Sequence, residues 1–146
     1  MLAVSAGLIV QLALATSGAQ PYHAAYQNAE ARSQPLLVLV GADWCPGCRT
    51  MKGSVMPRLA QSGKLSRVSF ATLNTDAEPE LARQLMRGGM IPQLIVFSRK
   101  ADGQWHREQL TGTAGERQVQ ALIDRAVRAQ APVIAATTSG ASAVGN

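Results

Sequence analysis

Few of the residues that usually announce a function are abundant in this chain. Its 146 residues include only two cysteines, two histidines and three lysines, and aromatic residues make up 4%. Two cysteines allow one bridge at most, which excludes a fold stapled by a disulfide framework. With no third cysteine, and with His23 and His106 distant from the pair in sequence, a structural zinc ion is short of ligands. The eleven arginines and three lysines are scattered from Arg32 to Arg128 without a run, and the few aromatics are not interleaved with them. A nucleic-acid surface needs a basic stripe, so no nucleic-acid partner is expected, and the net charge of +5 reads as solvated surface. No apolar run approaches the ~20 residues that span a bilayer. The length leaves room for one domain with one modest core.

The two cysteines that are present stand together, in Trp44-Cys45-Pro46-Gly47-Cys48. Two residues separate the thiols, so a helical turn starting at Cys45 brings the sulfurs near enough to form a small ring that reopens easily. The preceding run, Leu36-Leu37-Val38-Leu39-Val40, is apolar on both faces and ends at Gly41, the pattern of a strand buried in the middle of an α/β sheet. The pair therefore sits where a central strand hands over to a helix. The free N–H groups and partial positive charge of a helix's first turn favour an anion there. Cys45 accordingly reads as the thiolate nucleophile, with the N–H groups of Gly47 and Cys48 directed at its sulfur, and Cys48, one turn inside, as the shielded resolving thiol. Pro46 suits the first helical position, where its missing N–H costs no bond. Two alternatives stay open at this point: Pro46-Gly47 as a bare turn, and the pair as half of a zinc site.

Elsewhere, Pro21 opens a segment with Tyr22, Ala25, Tyr26 and Ala29 at helical spacing, an amphipathic helix laid on the sheet and closing near Arg32 and Ser33. Pro57 predicts a break or kink near Ser54 to Met56, with a second helical piece from Pro57 to about Gln61. Arg67 to Asn74 alternates as a second strand, parallel to the first. Asn74-Thr75-Asp76 offers caps for a helix over Glu78 to Met86, with Leu81 and Leu85 inward and Gly88-Gly89 at its end. Leu94-Ile95-Val96-Phe97, a turn around Ala101-Asp102-Gly103, and Trp105 to Leu110 form a hairpin with Trp105 and His106 on an edge strand. Val119, Leu122, Ile123, Ala126 and Val127 trace a last helix to about Ala129.

This order is a βαβ unit followed by ββα, with an extra N-terminal helix. Together with Ala42-Asp43-Trp44-Cys45-Pro46-Gly47-Cys48-Arg49 and Gly89-Met90-Ile91-Pro92-Gln93, it resembles the thioredoxin family from about Leu36 to Ala129. The Ala-Asp-Trp-Cys lead-in is similar to exported thioredoxin-like domains that pass electrons in bacterial envelopes. The resemblance implies an α/β, thioredoxin-like fold with a central mixed four-stranded sheet flanked by helices. It implies a cis bond before Pro92, which then stands beside the cysteines, and an Ile91 backbone that pairs with an extended substrate segment. Gly112 matches a glycine near the same groove and Trp44 the tryptophan flanking the nucleophile. The expected substrate groove is thus Trp44, Pro46, Gly47, Ile91, Pro92 and Gly112. The implied activity is thiol–disulfide exchange with no metal and no cofactor beyond a Cys45–Cys48 disulfide. Its partners would be protein disulfides or dithiols and an upstream thiol donor, for which a membrane carrier is the candidate.

The departures from the family pattern shape the expectation further. Thioredoxin has a buried Asp six residues before the first Cys and a Lys on the next strand; here those positions are Leu39 and Thr72. Losing both avoids an unpaired buried charge, which would cost several kcal/mol, and leaves water or Asp43 to carry the Cys48 proton. The dipeptide is Pro-Gly where thioredoxin has Gly-Pro, and the motif lacks the acid-lowering His of strongly oxidising relatives. A nucleophile with a pKa of about 7 marks a reductant and one of about 3.5 a strong oxidant, so a reductant is expected. The alternatives are a dithiol oxidase or isomerase, and a binding or chaperone module with idle cysteines.

The two ends read differently from the middle. Leu2 to Ala19 is uncharged, with an apolar core from Ala6 to Ala15 and small residues in Ala13-Leu14-Ala15 and Ser17-Gly18-Ala19. That is the pattern of a secretory signal, though without basic residues at its start. Residues 1–19 are therefore expected to be a signal peptide and 20–130 the domain, exported to the periplasm or cell envelope; an uncleaved anchor is the alternative. Beyond Pro132 the composition falls to Ala, Thr, Ser and Gly, and residues 131–146 are expected to be a disordered tail.

Overall fold

Every residue of β1 (Leu36–Gly41) is buried, and this strand is the axis of the molecule. In the computed structural model, which describes residues 18–130, β1 pairs in parallel with β2 (Ser69–Asn74) and antiparallel with β3 (Gln93–Arg99). β3 in turn pairs antiparallel with β4 (Trp105–Thr111), giving a mixed four-stranded sheet of order β2-β1-β3-β4. The signal segment expected over residues 1–19 lies outside the described residues except for Gly18 and Ala19, as does the whole of the tail expected from residue 131.

Successive side chains of a strand point to opposite faces, and β1 uses both. Leu37 and Leu39 join Met51, Met56, Phe70, Leu94, Leu122 and Ile123 in one core layer, while Leu36, Val38 and Val40 join Ala25, Ala29, Ala71, Leu73 and Ile95 in the other. Each fully buried Leu, Ile or Val contributes about 1.5–3 kcal/mol. The uninterrupted apolar run is thus the signature of a strand covered on both sides. α1 (Tyr22–Arg32) covers the second layer through Ala25 and Ala29, whose small side chains let the helix approach the sheet, while Tyr26 is exposed. α5 (Glu116–Ala129) covers the first through Val119, Leu122, Ile123 and Ala126.

The second helical piece expected from Pro57 to about Gln61 is present, and it follows a π turn rather than a break. Pro57 does not interrupt the helix after the cysteines: α2 (Pro46–Thr50) passes through a π turn (Met51–Val55) into α3 (Met56–Gln61). The Met56 N–H bonds to the Met51 carbonyl, five residues back. This widened turn lets the helical course continue past a proline that has no N–H to give.

α4 (Pro79–Leu85) is shorter than predicted and carries no side-chain cap. The Asn74 Oδ1 instead accepts the Asp76 N–H at 2.8 Å, closing a local turn before the helix starts. Leu81 and Leu85 are half-buried against the second layer, with Ala82 fully buried between them. β2 begins at Ser69 because Lys64–Arg67 forms a 3₁₀ turn. β4 is an edge strand, as expected, with His106 beside Glu108 at 3.6 Å.

Candidate active site

The site forms where β1 ends. Gly41 closes the strand, and α2 begins at Pro46 with Cys45 as its N-cap residue. Pro46 thus holds the first helical position, as its chemistry favours. Cys45 and Cys48 are joined by a disulfide, with Cα atoms 5.2 Å apart. Cys45 Sγ accepts the Cys48 N–H at 3.2 Å. The Gly47 N–H makes no such bond, so one donor reaches the sulfur rather than two. The reason is geometric: an N-cap acceptor here meets the third helical N–H, not the second.

Residue burial does not separate the two cysteines, against the expectation that only Cys48 would be shielded. Both residues are 6% exposed. Their neighbours separate them instead. Cys45 Sγ lies 3.9 Å from the Ile91 carbonyl oxygen, next to the cis Ile91–Pro92 peptide. Cys48 lies against the end of β1, where a β-carbon built on Gly41 would stand 2.8 Å from its Sγ.

The groove residues gather around this pair. A β-carbon on Gly47 would stand 3.3 Å from Pro92 Cδ and 2.5 Å from Thr113 Oγ1. The Gly112 N–H donates to the Pro92 carbonyl at 2.8 Å, and Gly112 adopts φ +89°, a left-handed conformation that suits glycine. Trp44 is 66% exposed, and its Nε1–H donates to Asp76 Oδ2 at 2.9 Å, which ties the indole to the rim. The fold therefore brings Trp44, Pro46, Gly47, Ile91, Pro92 and Gly112 to one end of the sheet.

Leu39 and Thr72 pair across the β1–β2 register. With Gly41, Asp43, Cys48, Lys52 and Asn74 they line a cavity of about 60 Å³. That volume is roomy enough for water beside Cys48. Asp43 is not in the core: its side chain is 81% exposed, 3.8 Å from Lys52 Nζ, and accepts from Asn74 Nδ2 at 3.3 Å.

Two residues near the site carry no role in the sequence reading. Thr113 faces Gly47, and nothing local marks it. Gln93 is completely buried, and its amide bonds to the loop before Pro92. A polar side chain directly before the apolar run Leu94-Ile95-Val96-Phe97 was the signal that could have exposed it. Among the described residues no group of three or more His, Cys, Asp or Glu side chains is placed to hold a metal ion. Both sulfurs are bonded to each other, so the zinc alternative lacks a donor set and the disulfide is itself the redox group. No helix among the described residues is long and apolar enough to cross a membrane.

Comparison with known proteins points the same way. A thioredoxin-like family model matches residues 19–98, more than half of the chain. The chloroplastic 5'-adenylylsulfate reductase 1 of Arabidopsis thaliana is 32% identical over 76 residues, covering 49% of this chain and 16% of that protein, so the chain spans about a sixth of that relative. A solved thioredoxin from Thermus thermophilus has a TM-score of 0.59 and 25% identity over 72% of this chain and 82% of its own. Chloroplastic thioredoxin z has a TM-score of 0.58 and 19% identity over 75% of this chain and 92% of its own.

Proposed function

The chain belongs to the thioredoxin-like family and carries a Cys-x-x-Cys exchange centre, and on that premise we propose that it reduces disulfides of protein substrates. The observation that carries this reading is Cys45 Sγ, set at the head of α2 on the Cys48 N–H and beside the Ile91 carbonyl. A thiolate there is stabilised by that donor and by the partial charge of the helix start.

In the reduced protein, the Cys45 thiolate attacks one sulfur of a substrate disulfide. A mixed disulfide forms and the other substrate sulfur leaves as a thiolate. Cys48, deprotonated through water or Asp43, attacks Cys45 Sγ, closes the Cys45–Cys48 bond and releases the second substrate thiol. Two electrons and two protons pass to the substrate. A thiol donor must then return the pair to the dithiol, and we assign that role to a membrane carrier. The export reading, to the periplasm or envelope, is supported by the uncharged, small-residue-terminated stretch from Leu2 to Ala19. Fractionation and amino-terminal sequencing of the mature protein test it.

Insulin disulfide reduction tests the activity. The wild type is expected to catalyse it and Cys45→Ser to be inert. Equal inactivity of both with several reductants would favour a binding module instead. Equilibration with glutathione tests the direction: the expected potential lies well below the about −120 mV of a strong dithiol oxidant, and a value near that figure would reverse the assignment.

A further inference from the structure

Gln93 opens β3 directly after Pro92, and its side chain is fully buried ahead of the apolar run Leu94-Ile95-Val96-Phe97. A buried amide demands partners, and this one finds them all in the preceding loop. Gln93 Nε2 donates to the carbonyls of Arg87 at 2.9 Å, Met90 at 2.9 Å and Gly88 at 3.4 Å, while Oε1 accepts the Arg87 N–H at 3.2 Å. An amide nitrogen has two hydrogens, so the long Gly88 contact shares one. The reversed amide would set an oxygen against three carbonyl oxygens, so only this orientation fits.

The loop has little else to hold it. Arg87, Gly88, Gly89 and Met90 are exposed, and among the described residues no backbone-to-backbone hydrogen bond reaches residues 87–91. Yet this loop leads into Ile91, whose carbonyl oxygen lies 3.9 Å from Cys45 Sγ, and leaves the preceding Met90 68% exposed.

We infer that Gln93 is a positioning residue, which holds the 87–90 loop so that Met90 and Ile91 present a set edge to a polypeptide substrate beside Cys45. This rests on the proposed reduction of protein disulfides and deepens it: the Gln93 clamp separates protein disulfides from small ones. A small disulfide needs only to reach Cys45, whereas a polypeptide must also lie along the loop. The clamp touches neither sulfur, so the exchange chemistry itself does not depend on it.

The test uses Gln93→Met, which keeps length and volume and removes the polar bonds, and Gln93→Glu, which keeps shape and removes the donors. Reduction of insulin and of the small aromatic disulfide dithiobis(nitrobenzoate) is measured in parallel, with the glutathione equilibrium of the cysteine pair. Displacing a substrate-positioning element by about 1 Å can cost up to ~100-fold, and about a tenfold loss in insulin kcat/KM, carried mainly by KM, is expected. Small-disulfide reduction and the glutathione equilibrium are expected to stay within about twofold of wild type, because the transition state for exchange is untouched. Equal losses on both substrates, a moved equilibrium, or undiminished insulin reduction would each overturn the inference while leaving the oxidoreductase reading intact. A wild type inert toward both disulfides would remove that reading, and this inference with it. Should neither variant fold, hydrogen exchange in the wild type decides: the Arg87 amide is expected to be protected despite its surface position, and unprotected exchange overturns the clamp.

Discussion

Gly41 and Cys48 occupy one another's space. A β-carbon on Gly41 would stand 2.8 Å from Cys48 Sγ and 3.0 Å from its β-carbon, closer than non-bonded atoms settle. The central strand ends in glycine because the second sulfur sits where a side chain would otherwise be. That contact joins the sheet to the redox pair without any hydrogen bond.

Gly41→Ala is therefore expected to act on the oxidised and reduced proteins unequally. Tied to Cys45, the Cys48 sulfur has nowhere to go, whereas a free thiol can rotate to another staggered position. The oxidised form is expected to lose about 1–3 kcal/mol, the usual cost of overpacking, and the reduced form less. The disulfide of the variant is then more readily reduced than that of wild type. Denaturation curves of both redox forms check this, and equal losses would refute it.

Gly47→Ala brings a β-carbon to 2.5 Å from Thr113 Oγ1 and 3.3 Å from Pro92 Cδ. A loss of about 1–3 kcal/mol and slower insulin reduction are expected. Thr113→Ala removes the oxygen that collides, so the double variant is expected to recover most of both. Additive losses in the double-mutant cycle would show that the Gly47–Thr113 contact is not the cause.

Asp43→Asn tests proton removal from Cys48. The carboxylate and its partner Lys52 are 81% and 63% exposed, so the effect on stability is expected to stay below about 1 kcal/mol. Closure of the mixed disulfide is expected to slow by about 100-fold, the low end of general-base contributions, while the first attack by Cys45 keeps its rate. Single-turnover kinetics separate the two steps. Unchanged closure would assign the proton to water alone, in the cavity beside Cys48.

Because both cysteines are 6% exposed, their roles rest on what surrounds them, and trapping distinguishes them directly. Cys48→Ser is expected to accumulate a mixed disulfide through Cys45, visible by mass spectrometry of non-reduced adducts. Cys45→Ser is expected to accumulate none. The opposite pattern would exchange nucleophile and resolving thiol.

Much of the architecture was readable from local pattern. The apolar run from Leu36 to Val40 gave β1 its place at the centre, and the spacing of Val119, Leu122, Ile123 and Ala126 matched the buried face of α5. Those features are periodic, and period is what a single sequence displays. The misreadings share another character. Pro57 was expected to break or kink the helix, and the backbone widened by one residue ahead of it instead of breaking. Asn74 was expected to cap α4, but its side chain found a nearer N–H in Asp76. In both, two local solutions of similar cost competed, and packing of the whole chain selected one.

The spacing of Cys45 and Cys48, and their position between an apolar run and a helix start, were settled by covalent order: three residues along a helix bring two sulfurs together wherever that helix lies. What meets those sulfurs was settled only by folding. Ile91 reaches Cys45, Gly41 receives Cys48, Thr113 abuts Gly47, and Gln93 gathers the loop in front of them. Two of these contacts, Ile91 with Cys45 and Thr113 with Gly47, join segments 40 or more residues apart, and the sheet register and two-sided core decide them, since neither composition nor periodicity encodes which distant atoms will touch.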